Sequence, residues 1–317
     1  MSMTRWGIAG PGRMAAVMVD AFADVPNGRV VAVGSRSDGR AREFAERHGI
    51  PIAHGSYAAL VEDPDVDAVY IATPHPQHVD IALAAIAAGK AILVEKAFTS
   101  SVADTERIID AARAAGVFCM EAMWTRFNPA VAAMRELVAA GEIGEVRGVQ
   151  GDLTAFREFI PTDRLFDPAL GGGAVLDLGV YLISFAQHFL GTPDVVHAVG
   201  GRYPTGVEGE FALVMGYADG RSASLGGAFT THGPGRLMVL GTKGWIDVHP
   251  RFHRAASITL WRGKEPETLD FTSGYAHEVV HVGECLAAGL TESPIMPLDD
   301  TLAVQRIMAE VLSQLGR

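Results

Sequence analysis

The sequence of 317 residues predicts an α/β protein: a doubly wound parallel sheet, then an α+β domain with a large, mostly antiparallel sheet. Three observations predict this fold class. A glycine turn follows a short apolar strand near the start, and strand and helix patterns then alternate as far as residue 120. Beyond that point, apolar side chains recur at every second position. We therefore expect two domains, residues 1–120 and residues 121–317.

Composition narrows the class of protein and of partner. Hydrophobic residues make up 49% of the chain and charged residues 20%, as in a globular protein with a sizeable core. A net charge of −11 argues against a nucleic-acid partner or an anionic membrane surface. The longest apolar helical stretch that we predict is Ile81–Ala88, too short to cross a bilayer. With Cys119 and Cys285 as core thiols and no secretory leader pattern, we expect a cytoplasmic protein.

The first candidate motif is the glycine turn that follows the apolar segment Trp6–Ala9. In the pattern Gly10-x-Gly12-x-x-Ala15, Gly10 permits a tight turn and Gly12 lets the backbone approach a pyrophosphate. The helix that follows offers its free N–H groups to the same anion. The pattern therefore favours a dinucleotide-binding (Rossmann) domain. The predicted cofactor-binding residues of this turn are Gly10, Gly12, Arg13 and Met14.

The remaining elements of the first half follow in order. Strands are predicted at Arg29–Ser35, Ile52–Ala53, Asp67–Ala72, Ala91–Val94 and Val117–Met120. Helices are predicted at Met14–Val25, Gly39–His48, Gln77–Ala88 and Ser101–Ala115. Because continuous apolar strands alternate with helices, the sheet should be parallel and covered on both faces. Its ligands should bind beyond the carboxyl ends of the strands.

In the second half the pattern changes to alternation. Strands are predicted at Val146–Phe156, Glu210–Ala218, Arg221–Phe229, Leu237–Leu240 and Trp245–Val248. The dipeptide Asp219-Gly220 predicts a hairpin turn between two of them. Helices are predicted at Ala174–Leu190, Tyr275–Leu290 and Asp299–Leu315. Alternation places one face of this sheet on a core, and its other face should be covered, for example by a second subunit.

The end of the second strand indicates which nicotinamide cofactor is bound. NAD enzymes usually carry an acid there for the ribose 2′-hydroxyl, and this chain has Ser35, Arg36 and Ser37 instead. Hydroxyl donors and a fixed cation suit a 2′-phosphate, so we expect NADP rather than NAD. The alternative is that Arg36 is a solvated loop residue.

The third and fourth candidate stretches also follow buried strands. Thr73, Pro74, His75 and His78 should lie beside the cofactor, and His75 should also reach the substrate. Alternatively, His75 merely begins a helix. We expect no metal, since the two histidines have no third ligand nearby. Glu95 and Lys96 should reach the same edge, where a plain salt bridge is the alternative role for the lysine.

The most informative distant stretch is Gly171–Tyr181, in which three glycines lead into a helix. Asp177 and Tyr181 are four apart and should share one face of that helix. Tyrosine titrates near pH 10, and an ammonium such as that of Lys96 would favour its phenolate. Such a set can exchange a proton with an alcohol while hydride moves to or from nicotinamide. The alternative for this stretch alone is a glycine loop with a buried tyrosine.

Taken together, the stretches Gly7–Ala15, Ala72–His78, Glu95-Lys96, Gly171–Tyr181 and Gly241–Trp245 resemble the Gfo/Idh/MocA oxidoreductases. The resemblance covers essentially the whole chain. Met120–Phe127 and Glu284–Pro294 resemble in particular the branch of dimeric dihydrodiol dehydrogenases and NADP-dependent xylose dehydrogenases.

The resemblance implies roles for individual residues. Lys96 matches the catalytic lysine of the family, Tyr181 its proton-transfer residue, and Asp177 the acid one turn earlier. The substrate-binding residues it implies, together with those expected from the loops, are His75, Trp124, Arg126, Phe127, Phe156, Asp177 and Tyr181. The antiparallel sheet is the usual dimer interface of the family. Ala97 replaces the proline that usually follows the lysine, which puts the placement of Lys96 in question.

We therefore expect an NADP(H)-dependent oxidoreductase acting on a secondary alcohol or ketone of an aldose, cyclic polyol or trans-dihydrodiol. One alternative is a reductase of anhydro-sugars or keto-sugars in the same family. A second is a non-catalytic NADP-binding sensor that has kept the fold.

Overall fold

The computed structural model describes residues 3–317. Its strands are β1 (Thr4–Ala9), β2 (Gly28–Gly34), β3 (Ile52–His54), β4 (Ala68–Ile71), β5 (Ala91–Glu95), β6 (Cys119–Ala122), β7 (Val146–Thr154), β8 (Val195–Arg202), β9 (Glu208–Gly216), β10 (Ser222–Ala228), β11 (Leu237–Gly241), β12 (Gly244–Val248), β13 (Ser257–Arg262) and β14 (Glu265–Asp270). Its α-helices are α1 (Arg13–Ala21), α2 (Asp38–His48), α3 (Tyr57–Glu62), α4 (His78–Ala87), α5 (Val102–Ala115), α6 (Pro129–Ala139), α7 (Val180–Leu190), α8 (Ala276–Ala287) and α9 (Leu298–Gln314).

The described residues form two compact units. One consists of the described part of Met1–Trp124 together with Gly274–Leu302, and the other of Thr125–Ser273 with Ala303–Arg317. The chain thus returns to the first unit through α8, and the division falls inside α9. The domain boundary that the sequence predicts at residue 120 stays a prediction.

The first unit contains a six-stranded sheet in the order β3-β2-β1-β4-β5-β6. Its neighbouring strands pair in parallel. The predicted doubly wound parallel sheet is therefore confirmed. Strand order reverses between β1 and β4, and a crevice at this switch point is where such sheets bind ligands.

Local sequence signals account for the helix ends of this unit. The hydroxyls of Ser37, Ser56 and Ser101 each accept a backbone N–H from the first turn of α2, α3 and α5. At their other ends, α2 and α5 stop at Gly49 and Gly116, both with left-handed backbone. These caps fix where the chain turns back toward the sheet.

One face of the parallel sheet is covered by α3, α4 and α5. Fully buried residues of the strands, such as Val69 and Ile92, pack with Leu60, Ile86 and Ile108 of the helices in one apolar cluster. Burial of this kind stabilises the unit by about 25 cal/mol for each Å² of apolar surface removed from water. The functional loops emerge from this rigid layer.

The second unit contains an eight-stranded sheet in the order β14-β13-β12-β11-β7-β10-β9-β8. Only β7 and β10 pair in parallel among its described strands, so the prediction of a mostly antiparallel sheet is confirmed. The chain reverses between β9 and β10 at Asp219 and Gly220, where Gly220 has a φ of 81°. The predicted hairpin is thus confirmed as well.

Helix α7 packs on this sheet against β7 and β10. Among residues 3–317, the segment Pro168–Leu190 is long and apolar enough to cross a membrane, but 83% of its most apolar window is buried inside the protein. The choice of Ile81–Ala88 as the longest apolar helical stretch was therefore wrong. Burial within the fold explains why a core helix carries so few polar residues.

The structure also adds elements that the sequence patterns did not predict. Strand β14 is almost entirely exposed, and α6 was not predicted although Asn128 caps it and Pro129 begins it. The predicted helix Ala174–Leu190 begins with a π-helical turn, Val175–Gly179, before α7. Edge strands and π turns depend on their neighbours in space, so local periodicity does not indicate them.

Candidate active site

The glycine turn at the end of β1 forms a shallow backbone cradle. Gly10 has a φ of 97°, and a Cβ atom there would lie 2.8 Å from the methyl carbon of Thr73. Gly12 donates its N–H to the carbonyl of Gly10 at 2.9 Å and precedes α1, whose first turn has neither a side-chain cap nor an acidic residue. The first N–H groups of α1 are therefore available to an anion.

The loop after β4 lies against this cradle and is braced by histidine. His78 is fully buried, and its two ring nitrogens lie 2.7 Å from the carbonyl oxygen of Thr73 and 3.0 Å from that of Phe98. His75 Nε2 lies 3.3 Å from the carbonyl oxygen of Lys96. The fold thus brings two of the predicted motifs together at the carboxyl edge of the first sheet.

The segment after β2 holds the residues predicted to select the cofactor. Ser35 is buried and its hydroxyl accepts the N–H of Ser37 at 3.2 Å, while Ser37 caps α2. Arg36 is exposed. Burial raises the pKa of the Tyr57 phenol, and the charge of Arg36 acts against that larger effect. The guanidinium of Arg36 therefore lies at the surface beyond the end of β2. A dinucleotide held at the glycine turn would place the phosphate of its ribose near this position.

Glu95 ties the start of the Lys96 loop to the sheet. One of its carboxylate oxygens accepts the hydroxyl of Tyr70, and the other accepts the backbone N–H of Lys96 at 3.1 Å. Burial, and then the charge of Glu95, raises the pKa of Tyr70 well above its usual value, so Tyr70 acts as a donor here. Lys96 is half-buried, and its peptide bond to Ala97 is cis.

In the second unit, the predicted acid and phenol lie on consecutive turns. Asp177 belongs to the π-helical turn, and its Oδ1 lies 3.6 Å from Nη2 of Arg164. Tyr181 follows in the first turn of α7 with 8% of its surface exposed, and its ring centroid lies 5.3 Å from that of His253. Since π turns are common at functional sites, this opening of the helix agrees with a role for both residues.

The residues predicted to line the substrate pocket occupy different environments. Arg126 is buried and donates to Ser184 and Gln187 of α7, so its charge is used to anchor that helix. Trp124 is stacked on Tyr275, with ring centroids 4.1 Å apart.

Phe127 is 7% exposed, whereas Phe156 is 47% exposed and stacks on His232 with centroids 5.0 Å apart. Substrate contact by the four residues Trp124, Arg126, Phe127 and Phe156 stays a prediction.

Several functional candidates carry no strong sequence signal. Arg164, Tyr70 and His253 become neighbours of the predicted residues only through folding. The spacing of Asp177 and Tyr181 in the sequence did not indicate which cationic residue would lie beside the acid. No group of three or more His, Cys, Asp or Glu that would hold a metal ion occurs within residues 3–317.

Three observations indicate that the first unit can accommodate a dinucleotide. The cradle at Gly10 has no room for a side chain, α1 begins without an acidic residue or a side-chain cap, and the Thr73 hydroxyl is buried with no hydrogen-bond partner among the described residues. A buried hydroxyl without a partner is costly, and a bound polar ligand would satisfy it. The glycine turn, the start of α1 and the Thr73 hydroxyl therefore fit a bound dinucleotide, and the binding roles of Gly10, Gly12, Thr73 and His75 stay predictions.

Comparisons with known proteins agree with this geometry. The family model described as "Oxidoreductase family, NAD-binding Rossmann fold" matches residues 4–123, and that of the "GFO/IDH/MocA C-terminal domain" matches residues 131–247. A trans-1,2-dihydrobenzene-1,2-diol dehydrogenase of Xenopus tropicalis is 36% identical over 327 residues, covering 99% of this chain and 98% of the relative.

Two solved structures are similar over nearly the whole chain. An aldose-aldose oxidoreductase from Caulobacter crescentus, solved with glycerol, has a TM-score of 0.90 and 27% identity, covering 98% of this chain and 97% of its own. KijD10, a 3-ketoreductase from Actinomadura kijaniata solved with NADP and TDP-benzene, has a TM-score of 0.86 and 26% identity, covering 99% and 98%. The match of both domain models and of a full-length relative shows that the chain belongs to the Gfo/Idh/MocA family of oxidoreductases.

Proposed function

We propose that this oxidoreductase uses NADP(H) to interconvert a secondary alcohol and a ketone on an aldose, a cyclic polyol or a trans-dihydrodiol. The observation that carries the proposal is the pair Asp177 and Tyr181 on consecutive helical turns, with Arg164 beside the acid and His253 beside the phenol. A carboxylate and a phenol on one face are unusual in a helix that serves only as core. The dehydrogenase and sugar oxidoreductase relatives support the same substrate class.

The cofactor preference rests on the end of β2. Gly10, Gly12, Arg13 and Met14 would hold the pyrophosphate, and Arg36 with Ser35 and Ser37 would hold the 2′-phosphate. The Arg36 side chain is exposed and accompanied by Arg40 near Tyr57, so the local charge favours a phosphate over a bare hydroxyl. The NADP that KijD10 binds supports this preference.

Each side chain then has a defined task in the proposal. Bound nicotinamide supplies the acceptor or donor of hydride. Tyr181 accepts the proton of the substrate hydroxyl in oxidation and returns it in reduction, and Lys96 holds that oxygen and favours the phenolate. Asp177, whose Oδ1 lies 3.6 Å from Nη2 of Arg164, orients a neighbouring substrate hydroxyl. Thr73, Pro74, His75 and His78 shape the cofactor side of the site.

A panel assay at 340 nm tests the proposal. NADP and NAD are compared with aldoses, inositols, anhydro-sugars and trans-dihydrodiols, using wild type and Tyr181→Phe. We expect turnover with NADP on one substrate class and a loss of about 10²–10⁴-fold in kcat for the variant. Unchanged turnover by Tyr181→Phe would remove that residue from the mechanism. A Tyr181→Phe and Lys96→Met double-mutant cycle shows whether the two residues act on the same step.

Reduction of a keto-sugar is a second candidate, favoured by the likeness to a 3-ketoreductase. It uses the same residues with the proton moving from Tyr181 to the substrate. NADPH oxidation with keto-sugars or anhydro-sugars, and no alcohol oxidation, would favour it. Tight NADP binding without turnover in either direction would favour a sensor instead.

We also propose a cytoplasmic homodimer formed through the sheet of the second unit. Val195, Val199 and Val214 on β8 and β9 are 52%, 71% and 48% exposed, a large apolar exposure for neighbouring strands. Light scattering of wild type and Val199→Asp tests the dimer. A monomeric wild type would refute it.

A further inference from the structure

The glycine loop that leads into the helix of Asp177 and Tyr181 is held by a buried ion pair. Glu208 at the start of β9 is fully buried, and its Oε1 accepts the N–H of Val175 at 3.0 Å. Its Oε2 lies 3.1 Å from Nη1 of Arg317. The same Nη1 donates to the carbonyl oxygen of Gly172 at 2.6 Å. One carboxylate and one guanidinium therefore join both sides of the turn.

The glycine at the centre of this turn is required by the carboxylate. Gly173 has a φ of 115°, and a Cβ atom there would overlap Oε1 of Glu208. Val175 is the first residue of the π-helical turn, so its N–H is one of those that a helix leaves unpaired. Glu208 supplies an acceptor for this N–H.

The chain around Arg317 is itself fixed along β8. Gln314 accepts the N–H of Ala198 at 2.7 Å and donates to the carbonyl of Val196 at 2.8 Å. Arg202 donates to the carbonyl of Gly316 at 2.6 Å. Arg317 is thus presented by an ordered segment, and its side chain, 22% exposed, reaches Glu208, whose side chain is 1% exposed.

We propose that Glu208 and Arg317 are positioning residues that set the first turn of the helix bearing Asp177 and Tyr181. The proposal rests on the proposed function, in which those two side chains meet the substrate. Its physical basis is that a buried carboxylate needs a charged partner. When the guanidinium is removed, the turn relaxes to hydrate Glu208, and Asp177, two residues beyond Val175, moves with it. Small displacements of catalytic groups cost large factors in rate.

Three variants test this. Arg317→Met removes the guanidinium, and Arg317→Lys keeps a positive charge on a shorter side chain that lacks the planar guanidinium. The matched control is Arg221→Met, since Arg221 donates to the carbonyl of Leu190 at the other end of α7, at 3.1 Å. For each we measure kcat, the Kd for NADP and amide hydrogen exchange of residues 171–178.

We expect kcat of Arg317→Met to fall about 10-fold or more with the Kd for NADP unchanged. Arg317→Lys should recover part of that loss, and Arg221→Met should match wild type. Exchange in residues 171–178 should accelerate in Arg317→Met and not in the control. In a Tyr181→Phe background, Arg317→Met should have a smaller further effect on kcat, because only its effect through Asp177 remains.

Faster exchange with unchanged kcat would overturn the positioning role, since the turn would then move without consequence. Unchanged exchange would overturn the ion-pair argument itself. Normal turnover by Tyr181→Phe would instead refute the proposed function, and the exchange data would still decide whether the ion pair holds the turn. If Arg317→Met does not fold, Glu208→Gln, which removes the charge and keeps an acceptor for Val175, serves in its place with a smaller expected loss.

Discussion

Glu278 in the first turn of α8 offers a sharp test of the electrostatics of the first unit. Its side chain is fully buried, and both carboxyl oxygens are buried with no hydrogen-bond partner among the described residues. Burial, and then the nearby charge of Glu95, raises the pKa of Glu278 well above its usual value. Tyr70 and Tyr275 are the other titratable groups in this cluster. We therefore expect Glu278 to be a neutral acid in the folded protein at neutral pH.

The sign and size of the effect follow from proton linkage. Because the folded pKa lies above the unfolded one, unfolding releases a proton, and stability is lost as pH rises from the unfolded toward the folded pKa. Within that window the loss is about 1.4 kcal/mol for each pH unit. Glu278→Gln keeps the shape and cannot ionise, so between pH 5.5 and 7.5 the variant should gain stability relative to wild type as pH rises, by about 1.4 kcal/mol for each pH unit that lies below the folded pKa.

The assay is urea unfolding of both proteins at three pH values across that range. The quantity to compare is how the difference in free energy of unfolding between the variant and wild type changes with pH. The side-chain amide that replaces the carboxyl group adds an offset to this difference that does not change with pH. Glu284→Gln is the control, because it makes the same substitution at an exposed position on the same helix. A free-energy difference between Glu278→Gln and wild type that stays constant with pH would refute the neutral-acid argument.

Three further outcomes follow from the site. Lys96→Met should lower kcat about 10²-fold or more with NADP affinity within a few-fold of wild type by fluorescence titration, whereas lost stability with normal kcat would indicate a structural lysine. Arg36→Gln should weaken NADP about 10–100-fold and leave NAD unaffected, and an equal loss for both would remove Arg36 from selection. Gly173→Ala should destabilise the protein by about 1–3 kcal/mol in thermal unfolding because of its φ of 115° and its approach to Glu208, while Gly39→Ala, in open space, should not.

The accuracy of the sequence predictions follows the range of the interactions involved. The parallel strands, the glycine turn and the hairpin at Asp219 were predicted because each depends on residues within one turn or one strand. The helix ends at His48 and Ala115 were predicted for the same reason. Strand β14 was not predicted, although it pairs with β13 after a turn of only two residues, because it is exposed along almost all its length and shows no apolar alternation.

The candidate site shows the same difference between local properties, which the sequence predicts, and long-range contacts, which it does not. The sequence alone identified Lys96, Asp177 and Tyr181 as groups able to move a proton, since their chemistry and their positions after a strand or on a helix are local properties. Their roles stay proposals.

Only the tertiary structure decided the neighbours that control them. It placed Glu95 between Tyr70 and the N–H of Lys96, Arg164 beside Asp177, and Arg317 with Glu208 beneath the glycine loop. The functional group of a side chain is known from its residue type. Its charge state and orientation depend on groups that folding brings from elsewhere in the chain. For the pair of Glu208 and Arg317 that separation is 109 residues, a distance over which no local pattern carries information.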